Sequence, residues 1–193
     1  MERAVFMDRD GTVSEEVGYV NHIERLRVFP WTAQAVKKLN DAGIRAFIVT
    51  NQSGVARGYF PESLVADVHH RLRQELATGG ARLDAIYYCP HHPDGRLALY
   101  RKECACRKPA PGMLERAARE FGLDLSHSFV IGDKYVDLET GFRVGAGAVL
   151  VMSGYGRGEY AYLRETWPRP PDHVAEELSQ AVDWILEQVA GQS

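Results

Sequence analysis

The chain has 193 residues, 45% of them hydrophobic and 25% charged, and a formal net charge of −3 at pH 7. These values suit a globular protein with core enough to stand without disulfides, and they exclude the broad basic surface of a nucleic-acid binder. A mildly acidic chain that handles an anionic substrate must concentrate positive charge locally, on a metal or on a few Lys and Arg side chains.

Ala4-Val5-Phe6-Met7 is a short apolar run that ends in acid at Asp8, as a buried strand does. A helix is predicted from Thr32 to Ala42, with Ala33, Val36 and Leu39 or Asn40 facing inward and Gly43 as its stop. Ile44 to Val49 reads as the second strand. Pro61 opens a longer helix whose apolar row is Leu64, Val68, Leu72 and Leu76, and Gly79-Gly80 ends it. Ala85 to Tyr88 is a third strand, Pro111 to Phe121 a helix closed by Gly122, and Ser128 to Ile131 a fourth strand. A short helix around 138–144 leads to a fifth strand at Ala148–Val151. Pro168-Arg169-Pro170-Pro171 looks like a stiff connector before a last amphipathic helix from about Ala175 to Val189. Alternating strands and helices predict an α/β fold: a three-layer, Rossmann-like parallel sheet with helices on both faces. No apolar run is long enough to span a bilayer. The N-terminus lacks the features of a signal peptide, so the cytoplasm is the expected compartment.

In such sheets ligands sit beyond the carboxyl ends of the strands. There the chain places Asp8-Arg9-Asp10, Thr50-Asn51-Gln52, Cys89-Pro90-His91 and Gly132-Asp133-Lys134. Side chains two apart in extended chain point the same way, so Asp8 and Asp10 can serve one reaction centre, and Gly11 permits the sharp turn after them. The chemistry they suit divides the work between them. Asp8 attacks phosphorus, while Asp10 protonates the leaving oxygen and then deprotonates water. Paired carboxylates repel a phosphate dianion, so a hard cation such as Mg²⁺ is needed, with Asp8, Asp10 and Asp133 as its protein ligands. Asp137 is placed to hold the metal through water or to orient Lys134. Thr50, Asn51, Arg107 and Lys108 supply donors for phosphoryl or sugar oxygens. A lone Asp-x-Asp-Gly is commonly just a turn. Four polar elements at one predicted sheet edge are not.

Taken together, Asp8-Arg9-Asp10-Gly11-Thr12, Thr50-Asn51-Gln52, Lys108-Pro109 and Gly132-Asp133 with Asp137 resemble the four motifs of the haloacid dehalogenase-like superfamily. The resemblance implies an aspartyl-phosphate enzyme that uses Mg²⁺. The spacings leave no room for a large cap domain, so the pocket should be open and residues 1–193 should form a single domain. A scaffold that had lost the chemistry is disfavoured because Asp8 and Asp10 are both present. A phosphotransferase is disfavoured because it needs a cap to exclude water.

The three cysteines, an odd number, cluster at Cys89, Cys104 and Cys106, which argues against a disulfide framework. With His91 they offer four ligands in two tight pairs, the set a structural Zn²⁺ takes, with His92 as competitor. Zinc would then fix the loop at 89–106 and the positions of Arg107 and Lys108. His22, His69, His70, His127 and His173 receive no role. Among uncapped members with such a loop the chain resembles the heptose-bisphosphate phosphatases, through Gly18-Tyr19-Val20, Thr50 to Gly58, Tyr88 to Pro93, Cys104 to Pro109 and Gly132-Asp133-Lys134. The histidinol-phosphate phosphatases are the alternative. The first resemblance implies a monomer with a small sugar-phosphate substrate, no nucleic-acid or membrane partner, and a role in nucleotide-activated heptose biosynthesis. Glu16, Val17, Gly18, Tyr19, Gln52, Ser53, Arg107 and Lys134 are then the expected substrate contacts, beside Thr50, Asn51 and Lys108.

Overall fold

The structure is a computed structural model that describes residues 2–191. Its centre is strand β1 (Ala4–Met7), four apolar residues with no exposed surface. A strand apolar on both faces must be covered on both, and a parallel sheet between helix layers does this. Among the described residues the sheet has six strands in the order β3-β2-β1-β4-β5-β6, all parallel: β2 is Arg45–Asn51, β3 Ala85–Cys89, β4 Phe129–Gly132, β5 Gly147–Val151 and β6 His173–Ala175.

The pleat separates two cores. Val5 and Met7 point into one layer, with Ile48, Val149 and Val151, beneath helices α1 (Thr32–Asp41), α2 (Glu62–Thr78) and α6 (Leu178–Ala190). Ala4 and Phe6 point into the other, with Phe47, Val49 and Val130, beneath α3 (Gly112–Phe121). The side of the sheet towards β5 is covered by α4 (Tyr135–Phe142), whose Leu138 packs with Ala148 and Leu150.

The chain departs from the sequence reading at its C-terminal side. Pro168–Pro171 leads into β6, which pairs with β5 through Val149↔His173, and α6 begins only at Leu178. A three-residue strand is too short to carry a period. Helix α5 (Gly156–Leu163) was likewise not foreseen; Gly156 is its one buried residue, so it has no apolar stripe to read. On α2 the inward face is Val65, Val68, His69, Leu72 and Leu76, with Leu64 only part-buried. A strict four-residue row drifts around a 3.6-residue helix, and this drift brings Val65 and His69 inside. Among the described residues no helix is long and apolar enough to cross a membrane, and no folded cap is inserted between the elements of the sheet.

Candidate active site

β1 and β4 are neighbours at the point where chain order reverses, and their carboxyl ends carry the acidic residues. Asp8 follows β1 and its backbone N–H is held by the Ile131 carbonyl at 2.9 Å. Asp133 follows β4. Asp137 lies in the first turn of α4 and accepts a hydrogen bond from the Lys134 backbone N–H at 3.2 Å. Oxygens of Asp8, Asp133 and Asp137 all lie within 4.8 Å of one another, and the three residues are buried.

Three buried carboxylates in this space need positive charge. The protein supplies Lys108, 3% exposed, with Nζ 2.8 Å from Asp8 Oδ1, 2.7 Å from Asp137 Oδ1 and 2.9 Å from the Val49 carbonyl, to which it donates. Burial alone would lower its pKa, but Asp137 and Asp8 outweigh burial and raise it, so it stays charged. The remaining carboxylate is left short of a partner. Asp133 Oδ2 accepts from the Tyr155 backbone N–H at 2.8 Å, but the buried Asp133 Oδ1 has no hydrogen-bond partner. Burial, together with Asp8 and Asp137, pushes Asp133 up to about 8. Asp8 Oδ1 has the Lys108 ammonium, 2.8 Å away, as its partner. The orphaned Asp133 oxygen, close to the Asp8 and Asp137 carboxylates, fits a small hard cation such as Mg²⁺.

Two glycines leave room for this group. A Cβ on Gly11, which sits at φ +90°, would run into the Asp133 carboxylate, and a Cβ on Gly154, at φ +56°, would meet both that carboxylate and the Gly11 backbone. Only glycine takes these dihedrals and this proximity without strain.

Asp10 stands apart from the acidic cluster. Its carboxylate accepts from Arg9 Nη2 at 2.8 Å and 3.0 Å and from Gln52 Nε2 at 3.1 Å. With its carboxylate held by Arg9 and Gln52, the main-chain carbonyl is the Asp10 oxygen that suits the metal role expected of this residue. Asp137 also holds the Lys108 ammonium, a partner the sequence reading does not give it.

A cavity of about 370 Å³ opens over this floor. Asp8, Asp10, Thr50, Asn51, Gln52, Lys108 and Asp137 line its depth; Glu16, Gly18, Tyr19, Ser53, Arg107 and Lys134 are also among its lining residues. Thr50 Oγ accepts from Gln52 Nε2 at 2.8 Å, so its own hydrogen is free to donate into the cavity. Asn51 clamps the Lys108 backbone by both groups of its amide, 3.1 Å and 3.0 Å. Lys134 lies 3.4 Å from Glu16 and 4.1 Å from the Tyr155 ring centroid. Burial would lower its pKa, but Asp133 and Glu16 raise it on balance. Val17 is a correction: its side chain packs on the core and its carbonyl accepts from Arg25 at 2.7 Å. Tyr155 is a wall of the cavity that no motif or spacing singles out.

Beside the cavity, Cys89, His91, Cys104 and Cys106 converge. Their sulfurs are 3.2 to 3.4 Å apart, and His91 Nδ1 is 3.7 Å from Cys89 and 3.5 Å from Cys106. Four ligands at about 2.3 Å from a tetrahedral ion stand roughly 3.5 to 3.8 Å from one another, so the set can hold a zinc-like metal. His92 is engaged elsewhere, accepting from the Asp94 backbone N–H at 3.1 Å and bonded to Arg57 at 3.1 Å. Arg107 donates to the His91 carbonyl at 3.2 Å, which ties the cavity rim to this cluster.

Known proteins resemble this chain in sequence and fold. A family model described as HAD-hydrolase-like matches residues 105–181. The D-glycero-D-manno-heptose-1,7-bisphosphate 7-phosphatase of Thermosynechococcus vestitus is 43% identical over 97% of each chain. The D-glycero-beta-D-manno-heptose-1,7-bisphosphate 7-phosphatase of Escherichia coli K12 is 36% identical over 97% of this chain and 90% of its own. A crystal structure of D,D-heptose 1,7-bisphosphate phosphatase from B. bronchiseptica, complexed with magnesium and phosphate, superposes with a TM-score of 0.85 at 32% identity, over 96% of this chain and 99% of that one. Likeness of this depth over nearly the whole length makes the chain a member of the heptose-1,7-bisphosphate 7-phosphatase family of haloacid dehalogenase-like hydrolases.

Proposed function

We propose that this enzyme removes the C7 phosphate of D-glycero-D-manno-heptose 1,7-bisphosphate, a reaction that belongs to nucleotide-activated heptose biosynthesis. The observation that carries the reading is Asp8, buried beside the Lys108 ammonium at the floor of a cavity whose lining includes Arg107 and Lys134. An Asp8 oxygen attacks phosphorus, the bond from phosphorus to the C7 oxygen breaks, and Asp10 gives its proton to that oxygen. Asp10 then takes a proton from water as the water oxygen attacks phosphorus, the bond to Asp8 breaks, and inorganic phosphate leaves. Lys108 stands where phosphoryl charge would develop, and Thr50 and Asn51 complete the cradle.

Asp8 and Asp133, with the main-chain carbonyl of Asp10, are the groups that would hold Mg²⁺. The ion supplies the positive charge that lets a phosphate dianion approach two carboxylates. Cys89, His91, Cys104 and Cys106 would hold a structural Zn²⁺ that keeps the loop 89–106, and with it Arg107, in place. We read the chain as one phosphatase domain that works as a monomer in the cytoplasm.

Selectivity falls to the cavity rim, because the floor treats phosphomonoesters alike. A sugar bisphosphate offers a second phosphate to Arg107 or Lys134. Histidinol phosphate offers an amine and an imidazole, and the relatives' names give that substrate no support. The test is phosphate release with Mg²⁺ from both compounds. The heptose bisphosphate should be preferred at least about tenfold in kcat/KM, roughly 1.4 kcal/mol of transition-state discrimination. Arg107→Ala should cost more with the bisphosphate than with a simple monophosphate. Histidinol phosphate as the better substrate would overturn the assignment.

A further inference from the structure

Arg9 lies between the two catalytic-motif aspartates and is the largest side chain that the fold buries completely, at 1% exposure. A guanidinium has five N–H donors and no acceptor, so each partner it meets must accept. Nε donates to Asp10 Oδ1 at 3.1 Å; Nη2 donates to both Asp10 oxygens and, at 3.1 Å, to Gln52 Oε1. That leaves Nη1, which reaches across to α2 and meets His69 Nε2 at 3.2 Å.

The chemistry of this pair settles the histidine's state. Because Arg9 can only donate, His69 Nε2 carries the lone pair, and the ring is neutral with its proton on Nδ1. Burial and the nearby Arg9 and Arg73 charges agree, holding the imidazole far below its usual range, at about 3. The ring itself is fixed, being 7% exposed and edge-on to Tyr88 at 5.6 Å, whose hydroxyl donates to Glu62 at 2.9 Å. The geometry therefore forms a chain from a rigid helix residue, through a buried guanidinium, to the carboxylate at the cavity wall.

We infer that His69 is a positioning residue for the reaction: as the acceptor for Arg9 Nη1 it locks the guanidinium, and the locked guanidinium aims the Asp10 carboxylate at the ester oxygen. The inference rests on the reading of Asp10 as acid and base. Without His69 the buried Nη1 loses its acceptor and the guanidinium tips to find another. Asp10 then moves with it, while Asp8, Lys108 and Asp133 keep their own contacts.

The test separates proton delivery from everything else the site does. Single turnovers are followed by rapid quench with two esters. In p-nitrophenyl phosphate the leaving group departs as a stable anion and needs no proton; in the heptose bisphosphate an alkoxide must be protonated as it leaves. His69→Met and His69→Gln are similar in size, but only Gln offers an acceptor near the place of Nε2. His69→Met should slow phosphoryl transfer from the alkyl ester by about 10- to 100-fold, part of what general acid catalysis supplies. It should slow transfer from the aryl ester by no more than about threefold and leave KM for both close to wild type. His69→Gln should restore most of the alkyl rate. If the Met variant does not fold, His69→Asn replaces it, since its amide is too short to reach Arg9. Equal losses with both esters, or no loss with either, would overturn the inference. Asp10→Asn run beside them guards the premise: if it fails to discriminate between the esters, the reading of Asp10 falls; if it discriminates and His69→Met does not, only the role of His69 falls.

Discussion

Replacing Lys108 by Met removes the ammonium held among three buried carboxylates while keeping a side chain of similar length. In the folded protein Nζ is 2.8 Å from Asp8, 2.7 Å from Asp137 and 2.9 Å from the Val49 carbonyl, and both of its charged partners are themselves almost wholly enclosed. Breaking a buried ion pair from one side costs about 3–5 kcal/mol, because the stranded charge stays desolvated. Lys108→Met should therefore lower stability by about that amount in EDTA, as read from urea unfolding at neutral pH. The loss should shrink with saturating Mg²⁺, which restores part of the missing charge. Turnover should fall by roughly 10²- to 10³-fold even with Mg²⁺, the usual cost of one preorganised donor at a developing charge. Asp137→Asn in the same background supplies the check. The two substitutions share one contact, so their losses in EDTA should fall short of additive by about 1 kcal/mol or more. Strict additivity, or a loss below about 1 kcal/mol for Lys108→Met alone, would refute the argument that Lys108 neutralises this cluster.

Gly154→Ala puts a methyl group against the Asp133 carboxylate and the Gly11 backbone, so Mg²⁺ affinity measured by titration should weaken by about 10- to 100-fold, whereas Gly158→Ala, with open space around its Cβ, should bind normally. Protein purified without added zinc should carry a single tightly bound zinc per chain, and its removal by a thiol-directed chelator should abolish activity that Mg²⁺ alone does not restore; a metal-free protein with full activity would refute the zinc assignment. His69 gives a pH signature. Its folded pKa is depressed to about 3, so below its ordinary range, near 6.5, the unfolded chain binds a proton that the folded chain refuses, and stability falls as pH drops. By pH 4 this one group should cost about 3 kcal/mol, so His69→Gln should lose less stability than wild type between pH 7 and pH 4. Parallel acid-unfolding curves would contradict this.

Much of the site was legible because strand ends declare themselves. Asp8 and Asp133 each follow an apolar run, and a parallel sheet brings those ends together whatever the loops do. Cys89, His91, Cys104 and Cys106 were legible by ligand type and spacing. Asp10 was half legible: adjacency to Asp8 put it in the cavity, but the direction of its carboxylate depends on Arg9 and Gln52, which spacing does not rank as partners. His69 was missed because a histidine in an amphipathic helix looks like any polar residue until the helix phase is known, and the row Leu64, Val68, Leu72 set that phase slightly wrong. Tyr155 was missed because it follows a turn after β5, in a segment without periodicity. β6 is simply too short to carry a signal.

The central claim is that Asp8 takes the phosphoryl group. Borohydride added during turnover reduces an acyl phosphate to the alcohol, so peptide mass spectrometry of the quenched enzyme locates the residue that carried it. The expected result is conversion of the Asp8 side chain to that of homoserine, dependent on substrate and Mg²⁺, with Asp10, Asp133 and Asp137 unmodified. Full turnover with Asp8 untouched, or reduction at another carboxylate, would contradict it.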